Sequence, residues 1–563
     1  MSLDLFIEQA EYIQESLFTK WTVKHHDESN IIRKLSHGGA KLITGPRGCG
    51  KTTLMLKTYN KSMTSRTSKH LSVYVNFKSS LKLEPLYKKY SNADFWFNQW
   101  ILYKILQGLF KSLGDLKCSS FFIKFKPMQV DKNVNLIEMG RVDLIDQEDD
   151  LLTVSYLIEI LNKAITETNN SRCVLLLDDA GHAFSPDQQQ DFFEFFREIR
   201  TKSISPKAAV YPGVTSYSTS FHIGHDAEEI DVWIKPSTPG YLQFMYSILK
   251  SRFDKNTYSI LSQDENILNL ICYAAYGIPR SLLNIISSLN EEDHNSSKKF
   301  IFKKLKSTEV LRSIKKDFDK TYQLYDSLKL KLPMYKNFID SGSTFFESCL
   351  TIIKEFNKSG TVKRQSTIIA IKRPLSPELT KVLGFFQYTG LVSPQGIASR
   401  GDKGVFELFE LHYAAIIERN VFFSKRAVNI EEYCTAFSNR LSHTYPRRSE
   451  QKILGSDEVS NIFVLALPSC EICNTPRISE KAKFCAHCGN KLADASIFEN
   501  IVNQDVNKLP ITLKRASSIK ENCKIRTIKD ILMDHENREL RNVPMIGPFW
   551  SNRIKSYAEE FIA

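Results

Sequence analysis

The chain has 563 residues, of which 42% are hydrophobic and 25% are charged, and its formal net charge is +13 at pH 7. This length exceeds what one hydrophobic core usually serves, so several folded units are expected. No apolar stretch approaches the roughly 20 residues that a membrane-spanning helix needs, which argues against a membrane role. The first residues carry an acid where a signal peptide carries positive charge, so a cytoplasmic location is expected. The basic balance favours a polyanionic partner such as nucleic acid.

A glycine-rich stretch follows the apolar run Lys41-Leu42-Ile43-Thr44. It reads Gly45-Pro46-Arg47-Gly48-Cys49-Gly50-Lys51-Thr52-Thr53, a complete GxxxxGK[ST] pattern. A glycine turn between a buried strand and a helix leaves backbone N–H groups free to surround phosphate. In this pattern Lys51 reaches the outer phosphates of a nucleotide, and the Thr52 hydroxyl binds Mg²⁺. The stretch therefore predicts a P-loop that binds ATP, and a plain glycine turn is the alternative.

Strand-like and helical segments alternate after this loop, which predicts a parallel sheet with helical crossovers. The candidate strands are residues 71–77, 173–178, 208–215 and 229–234. The second of them is apolar and ends at Asp178, with Asp179 next in the chain. Acids at this place predict a Walker B motif, in which Asp178 binds Mg²⁺ and Asp179 orients or deprotonates the attacking water. Acids that merely start a turn or cap a helix are the alternative.

The order of these motifs resembles AAA+ ATPases of the origin-recognition-complex-like group over roughly residues 30–290. Two further segments carry the resemblance, Pro212-Gly213-Val214-Thr215-Ser216 and Gly277-Ile278-Pro279-Arg280. The resemblance implies that Thr215 or Ser216 is a polar sensor of the γ-phosphate. It also implies that Arg280, in a GxxR motif, reads the nucleotide, and an ordinary helix-surface arginine is the alternative. Many AAA+ ATPases have Glu at the place of Asp179, so slow or switch-like hydrolysis is expected.

An arginine finger that acts on a neighbouring subunit is usual in this class of ATPase, and with it a homo-oligomer. The candidates are Arg197 and Arg200, on the helical segment that follows Asp179. Either arginine could instead pair with Glu194 or Glu198 on the same helix.

Two segments separate the first candidate strand from the second. Residues 92–113 form an aromatic-rich amphipathic helix, which is expected to pack on the sheet. Residues 117–150 form an insertion for which the sequence predicts no role.

The middle of the chain carries two further features. Residues 298–328 are basic and helical, which is typical either of a solvated helix or of a phosphate-binding face. Residues 376–422 read as helix, strand, glycine-rich turn and strand, which resembles the end of a winged-helix domain. In the ATPase group named above such a domain holds duplex DNA, and Arg400 and Lys403 on the turn would contact phosphate or a minor groove. Docking of a protein partner is the alternative.

Four of the 11 cysteines form two CxxC pairs near the C-terminus. They are Cys470, Cys473, Cys485 and Cys488, with eleven residues between the pairs. Four thiolates around a tetrahedral ion leave no open position, so the pattern predicts a structural Zn²⁺ site that resembles a zinc ribbon. A redox CxxC pair is the alternative, and His487 is a possible substitute ligand.

Residues 509–563 resemble helix-hairpin-helix domains, including the C-terminal domain of the RNA polymerase α subunit. The matching segments are Ile525-Arg526-Thr527-Ile528-Lys529-Asp530-Ile531-Leu532 and Leu540-Arg541-Asn542-Val543-Pro544-Met545-Ile546-Gly547-Pro548. The resemblance implies a hairpin whose backbone N–H groups bind a DNA phosphate, with a turn that Gly547 permits. Arg553 and Lys555 lie on the following helix. Met545 stands where a glycine is common, and protein docking is the alternative.

These features predict a multidomain α/β protein, with a P-loop AAA+ parallel sheet, a helical lid, a winged-helix-like domain, a zinc ribbon and a helix-hairpin-helix domain. The predicted boundaries are 1–240 for the ATPase core, 241–297 for the lid, 298–455 for the helical and winged-helix-like region, 466–495 for the ribbon and 509–563 for the last domain. The expected function is an ATP-binding and hydrolysing switch that binds DNA through its C-terminal modules, with ATP, Mg²⁺ and Zn²⁺ bound. The alternative is an oligomeric signalling ATPase of a bacterial antiviral defence system, which senses a foreign trigger and recruits an effector protein.

Overall fold

The computed structural model separates the chain into two compact units. The N-terminal unit comprises residues 9–45, 49–233 and 559–563, and the C-terminal unit comprises residues 1–8, 46–48 and 234–558. The structure describes residues 6–64, 69–78, 83, 86, 90, 92–118, 121, 124–146, 150–180, 186–289, 305–358, 365–422, 429–439, 444–456, 462–477, 482, 484–490, 492, 502–534, 537–544 and 546–562. Among these residues no helix combines the length and the apolar character that a membrane crossing requires. The five predicted domain boundaries stay predictions.

The N-terminal unit is built from five strands and seven helices within the described residues. The strands are β1 (Lys41–Thr44), β2 (His70–Asn76), β3 (Arg172–Asp178), β4 (Ile204–Ala209) and β5 (Glu228–Asp231). The helices are α1 (Glu15–Trp21), α2 (Glu28–Ser36), α3 (Lys51–Thr64), α4 (Ala93–Asp115), α5 (Pro127–Glu138), α6 (Val154–Glu167) and α7 (Pro186–Glu198).

The strands form one parallel sheet in the order β2-β3-β4-β1-β5, as the alternating pattern predicts. Strand β3 is buried on both faces because side chains of a strand alternate in direction and helices cover both sides. Val174 and Leu176 enter the core with α2 and α3, while Leu175 and Leu177 enter the core with α4 and α6. Because the strands are parallel, the carboxyl-terminal ends of β1 and β3 lie at the same edge of the sheet.

The predicted strand 208–215 is wrong in its bounds, since β4 ends at Ala209. Residues 212–214 form a turn instead. Pro212 has no N–H to give to a strand ladder, and Gly213 adopts a φ of 69° that disfavours extended backbone. The chain therefore leaves the sheet just before the residues that were predicted to sense phosphate.

The aromatic helix α4 packs on β2, as predicted. Trp96, Trp100 and Tyr103 are buried in the same core as the sheet. Gly108 makes the close approach possible, because a Cβ atom there would lie 2.8 Å from a backbone oxygen of β2. The insertion contributes α5, whose Asn133 donates to the Tyr103 hydroxyl at 3.1 Å. Part of the insertion therefore belongs to the core of this unit.

The C-terminal unit begins with four helices, α8 (Tyr241–Arg252), α9 (Lys255–Leu261), α10 (Glu265–Ala274) and α11 (Pro279–Ser288). Asp254 and Asp264 start two of them, since each carboxylate accepts a hydrogen bond from a backbone N–H of the first turn, at 2.8 and 3.1 Å. Pro279 stands at the first position of α11, where its missing N–H costs nothing.

Long helices and a second sheet follow. They are α12 (Ser307–Lys331), α13 (Lys336–Lys358), β6 (Ile368–Lys372), α14 (Pro377–Thr389), β7 (Val392–Ser399), β8 (Val405–Leu411), α15 (Tyr413–Glu418), α16 (Ile430–Ser438), β9 (Arg447–Arg448) and α17 (Glu450–Leu454). The sheet has the order β7-β8-β6-β9. The segment from α14 to β8 has the order of elements predicted for a winged-helix end, with a short 3-10 turn, Gly401–Lys403, between its strands.

After the cysteine segment, the described residues form four helices, α18 (Leu513–Asn522), α19 (Ile528–Met533), α20 (Arg538–Arg541) and α21 (Pro548–Ile562). Thr527 and Asp530 form a capping box that starts α19. The predicted hairpin lies between α20 and α21, and Met545 within it is outside the described residues. Gly547 is not among the residues with positive φ, and a Cβ there would meet nothing within 4 Å. The turn therefore does not depend on a positive φ at Gly547, and the predicted contact of this hairpin with a DNA phosphate stays a prediction.

Candidate functional site

The glycines of the predicted P-loop adopt backbone conformations that side chains would strain. Gly45 has a φ of 142° and Gly50 a φ of 105°. A Cβ on Gly45 would also lie 2.8 Å from the Sγ of buried Cys49. Helix α3 begins at Lys51, so the N–H groups of its first turn have no acceptor within the helix. In P-loop proteins the N–H groups at this place face the phosphates, and the helix dipole favours negative charge there.

Lys51 is held in a defined position at the start of α3. Its ammonium group donates to the Gly45 carbonyl oxygen at 2.7 Å. The same group lies 3.8 Å from the centre of the Tyr211 ring. The side chain is thus satisfied by a carbonyl and an aromatic face, although the residue is only 5% exposed.

The candidate magnesium ligands meet at the end of β3. The Thr52 side chain interacts with the Asp178 carboxylate and favours its charged form, and Asp178 is 1% exposed. Oδ2 of Asp178 lies 2.9 Å from the hydroxyl of Tyr74 on the neighbouring strand. A hydroxyl and a carboxylate are the hard oxygen ligands that Mg²⁺ takes in proteins. Thr52 and Asp178 therefore fit the predicted magnesium site.

A third carboxyl group, from Glu11, approaches these acids. Its Oε1 lies 2.9 Å from the Tyr74 hydroxyl and accepts a hydrogen bond from Asn76. Burial raises the pKa of Glu11, and the charge of Asp179 raises it further. Burial likewise raises the pKa of Asp178 well above its usual range, with contributions from Asp179 and Glu11. The sheet end therefore brings together acidic groups whose charged forms are disfavoured here and would be stabilised by a cation.

Asp179, the candidate for orienting water, adopts a left-handed φ of 56°. Its N–H donates to Oδ1 of Asp178 at 3.0 Å. Its own carboxylate oxygen Oδ1 accepts a hydrogen bond of 3.2 Å from the Tyr211 hydroxyl. Non-glycine residues in this conformation are uncommon and concentrate at functional sites.

The predicted sensors Thr215 and Ser216 lie in the turn after β4 and contact other groups. The Thr215 hydroxyl accepts a hydrogen bond from the N–H of Tyr211 at 2.9 Å, and the Thr215 N–H donates to the Tyr211 carbonyl at 3.0 Å. The Ser216 N–H donates to the side chain of Gln189. The structure brings Tyr211 to Lys51 and Asp179, a residue that the sequence analysis missed. Its place directly before Pro212, at the end of an apolar run, was the available signal.

Arg280 lies at the start of α11 in the C-terminal unit, to which the P-loop residues Pro46–Gly48 also belong. A Cβ on Gly48 would come within 3.0 Å of Cβ of Arg280. The Arg47 N–H donates to the carbonyl oxygen of Tyr388 at 3.0 Å. Nε of Arg280 lies 3.9 Å from a carboxylate oxygen of Glu8. Arg280 is therefore next to the predicted P-loop, and its role as a nucleotide sensor stays a prediction.

The two arginine-finger candidates lie at and after the end of α7. Arg197 pairs with Glu194 at 2.9 Å and donates to the carbonyl of Ser220. Arg200 donates to the carbonyl of Asp226 at 2.7 Å. Arg197 has 45% of its side chain exposed. Its ion pair with Glu194 is therefore a surface pair, which was the predicted alternative to an arginine finger.

The four cysteines of the predicted zinc ribbon come together. All four Sγ atoms lie within 4.8 Å of one another. The pairs Cys470–Cys488, Cys473–Cys485 and Cys473–Cys488 are separated by 3.5, 3.4 and 3.4 Å. These separations exceed the length of a disulfide bond, about 2.05 Å. They approach the sulfur–sulfur distance of about 3.8 Å in a tetrahedral site whose four sulfurs each lie about 2.3 Å from zinc.

The two cysteine pairs share one backbone pattern. In each, the N–H of the first cysteine bonds to the carbonyl five residues on, and the N–H four residues on returns to the carbonyl of that cysteine. The fourth residue on is left-handed in both, Asn474 with a φ of 55° and Gly489 with a φ of 69°. Both turns therefore direct a pair of thiols to one point. The backbone N–H of His487 donates to the Cys485 sulfur at 3.4 Å. The four cysteines fit Zn²⁺ without the His487 imidazole as a ligand.

The cations named for the winged-helix turn and for the last helix are largely held within the C-terminal unit. Arg400 donates to the Tyr445 hydroxyl at 2.9 Å. Arg553 pairs with Glu8 at 2.9 Å and donates to the Tyr557 hydroxyl at 2.6 Å. Lys555 donates to three carbonyl oxygens at the end of α19, all within 2.9 Å. Lys403 is exposed. Lys555 therefore stabilises the last domain itself, while Arg553 also connects it to Glu8.

The parallel sheet, the loop before α3 and the contact of Thr52 with Asp178 define a class, the P-loop proteins. Residues 122–376, less than half of the chain, match the model of the ORC-CDC6-like family. The resemblance predicted for roughly residues 30–290 is confirmed over residues 122–290, which include β3 and Arg280.

The solved structures that match include the crystal structure of Cdc6p from Pyrobaculum aerophilum. It is 14% identical, with a TM-score of 0.30, and the match covers 75% of this chain and 98% of that chain. None of the curated proteins matches this chain significantly.

Proposed function

We propose that this protein is an ATP-binding and hydrolysing AAA+ molecular switch that binds DNA through its C-terminal modules. The observation that carries the ATPase part is the contact between the Thr52 hydroxyl and the Asp178 carboxylate beside Lys51. This is the arrangement in which P-loop proteins hold Mg²⁺ against the outer phosphates.

The residues of the site have separable roles. The N–H groups at the start of α3 surround the phosphates, and Lys51 moves from the Gly45 carbonyl to the outer phosphate oxygens. Thr52 and Asp178 hold Mg²⁺, which neutralises charge on the phosphate oxygens when it is bound. Asp179 accepts a hydrogen bond from the attacking water and orients it. An aspartate reaches less far than a glutamate, and slow turnover is therefore expected.

The charge of the chain supports binding of a polyanion, and two surface arginines support an oligomer. The net charge is +13, and exposed cations of the last domain include Lys514, Lys529 and Arg541, which suit phosphate contacts. Arg197 and Arg200 lie near the surface of the N-terminal unit, where one of them would serve a neighbouring subunit as an arginine finger. The zinc site has a structural role, since four thiolates leave no position for a substrate.

The test is ATP hydrolysis by the full chain with no addition, with duplex DNA, with single-stranded DNA and with RNA, at low and moderate salt. Stimulation by DNA that is lost as salt rises is the expected result, because phosphate contacts release counterions. Hydrolysis that no nucleic acid alters, together with no salt-dependent DNA binding, would refute the DNA part. It would favour a signalling ATPase that a partner protein controls.

A further inference from the structure

We propose that Tyr211 is a positioning residue of the ATPase site. Its ring places the Lys51 ammonium, and its hydroxyl orients the Asp179 carboxylate. The inference rests on the proposed function, because it assigns a task within ATP binding and hydrolysis. All three residues lie in the N-terminal unit.

The geometry places Tyr211 between the two motifs. The Lys51 ammonium lies 3.8 Å from the ring centre, over the face of the ring. The ring face carries negative electrostatic potential and attracts a cation, more strongly where water is excluded. The hydroxyl at the far end of the ring donates to Oδ1 of Asp179 at 3.2 Å. One side chain therefore contacts the cation of the phosphate loop and the acid of the strand end.

Tyr211 is itself held firmly. The residue is 7% exposed. Its N–H and its carbonyl oxygen both bond to Thr215, at 2.9 and 3.0 Å, which closes the turn after β4. The predicted sensor Thr215 thus fixes the backbone of the residue that reaches the site. These hydrogen bonds fix the backbone from which the ring extends, and burial of the residue limits the space into which the ring could turn.

Each half of the side chain has a distinct task. The ring restricts the Lys51 amine to the region in front of the loop before phosphate binds. The side chain of Lys51 therefore loses less conformational entropy on binding. The hydroxyl fixes one oxygen of Asp179 and leaves the other to accept the proton of the attacking water. In hydrolysis the water oxygen bonds to the γ-phosphorus, the bond from that phosphorus to the bridging oxygen of ADP breaks, and the water proton passes to Asp179. The hydroxyl therefore acts on turnover, and the ring acts on affinity.

The experiment compares Tyr211→Phe and Tyr211→Leu with the wild-type full chain. ATP affinity is measured with a fluorescent ATP analogue, and kcat is measured by phosphate release. Tyr211→Phe keeps the ring, so its affinity is expected to stay within about twofold while kcat falls about tenfold or more, the usual loss for one hydrogen bond to a charged group. Tyr211→Leu is expected to lose affinity as well, by about fivefold.

Tyr90→Phe is the matched control, because the Tyr90 hydroxyl also donates to an aspartate, Asp143 at 3.1 Å, away from the site. It should leave both quantities unchanged. An unchanged kcat in Tyr211→Phe, or equal losses of affinity and kcat in both Tyr211 variants, would overturn the proposal. If the wild type binds ATP without hydrolysing it, the hydrolysis assignment and the hydroxyl's task both fail. The comparison of Tyr211→Leu with Tyr211→Phe then still decides the task of the ring.

Discussion

The Thr52 side chain at the start of α3 interacts with the Asp178 carboxylate at the end of β3. These groups come from separate parts of the chain and meet because β1 and β3 end at the same edge of the parallel sheet. Oxygen ligands so placed hold a divalent cation between the loop and the strand end.

Asp178→Asn should therefore weaken the effect of Mg²⁺ on ATP binding. The expected loss is about tenfold or more in the Mg²⁺-dependent gain of affinity, as is usual when a metal site is altered. Binding in the presence of a chelator should change little, because the N–H groups and Lys51 remain. Titration calorimetry with and without Mg²⁺ measures both quantities. An equal loss in the two conditions would mean that Asp178 supports the fold rather than the metal.

Arg280 gives a second prediction, since Gly48 of the P-loop approaches it closely. Arg280→Ala should lower kcat about tenfold or more, the usual cost of losing a charge-assisted hydrogen bond, with little change in ADP affinity. Arg312→Ala, which removes an exposed arginine of α12, is the control. The same kcat in both variants would exclude a role of Arg280 in hydrolysis and leave it only its ion pair with Glu8.

The cysteine cluster predicts one Zn²⁺ per chain. Cys473→Ser should lose this metal, because each thiolate is one of four ligands. Cys523→Ser, outside the cluster, should keep it. Metal analysis of the purified variants measures the content, and ATP affinity measured on the same samples should be equal to that of the wild type. Loss of ATP affinity together with zinc would show that the metal site supports the ATPase site.

His412 predicts a pH-dependent stability of the C-terminal unit. Its ring is fully buried against Tyr276 and Phe318, and burial lowers its pKa to about 3. An unfolded imidazole takes up a proton below about pH 6.5, whereas the folded one stays neutral to about pH 3. In this window the unfolded state binds more protons, so stability falls as the pH falls.

His412→Asn separates this titration from the structural role of the residue. Nδ1 of His412 accepts the N–H of Ala414 at the start of α15 at 3.1 Å, and an asparagine oxygen can accept the same hydrogen bond. Between pH 7 and pH 5 the variant should therefore lose less protection than the wild type. Hydrogen exchange of the segment 405–418, corrected for the intrinsic rate at each pH, measures the loss. Identical losses would exclude His412 as the source.

Local patterns predicted much of this molecule. The P-loop, β3 with its acids and the paired cysteines are recognisable because their chemistry lies in neighbouring residues. The residues that meet only in the folded chain were not predictable in the same way. Glu11 reaches Asp178 through Tyr74 on a neighbouring strand, and nothing in the sequence around Glu11 indicates that contact.

Charge and residue type alone were weaker guides. Thr215 matches a sensor position, and its role as a sensor stays a prediction; the sequence did not indicate that its hydroxyl also holds the backbone of Tyr211, where Pro212 and Gly213 end the strand early. Lys555 was one of the cations of the hairpin domain, yet its ammonium caps three carbonyls of α19. Long side chains find partners across a turn, and sequence spacing does not reveal which partners they find.

The central claim is that the site hydrolyses ATP with Mg²⁺ and Lys51. Phosphate release by the wild type and by Lys51→Ala, each with Mg²⁺ and with a chelator, tests it most directly. Slow release by the wild type that needs Mg²⁺, together with none by Lys51→Ala, is the predicted result. The same rate in the variant, or no ATP binding by the wild type, would contradict the account.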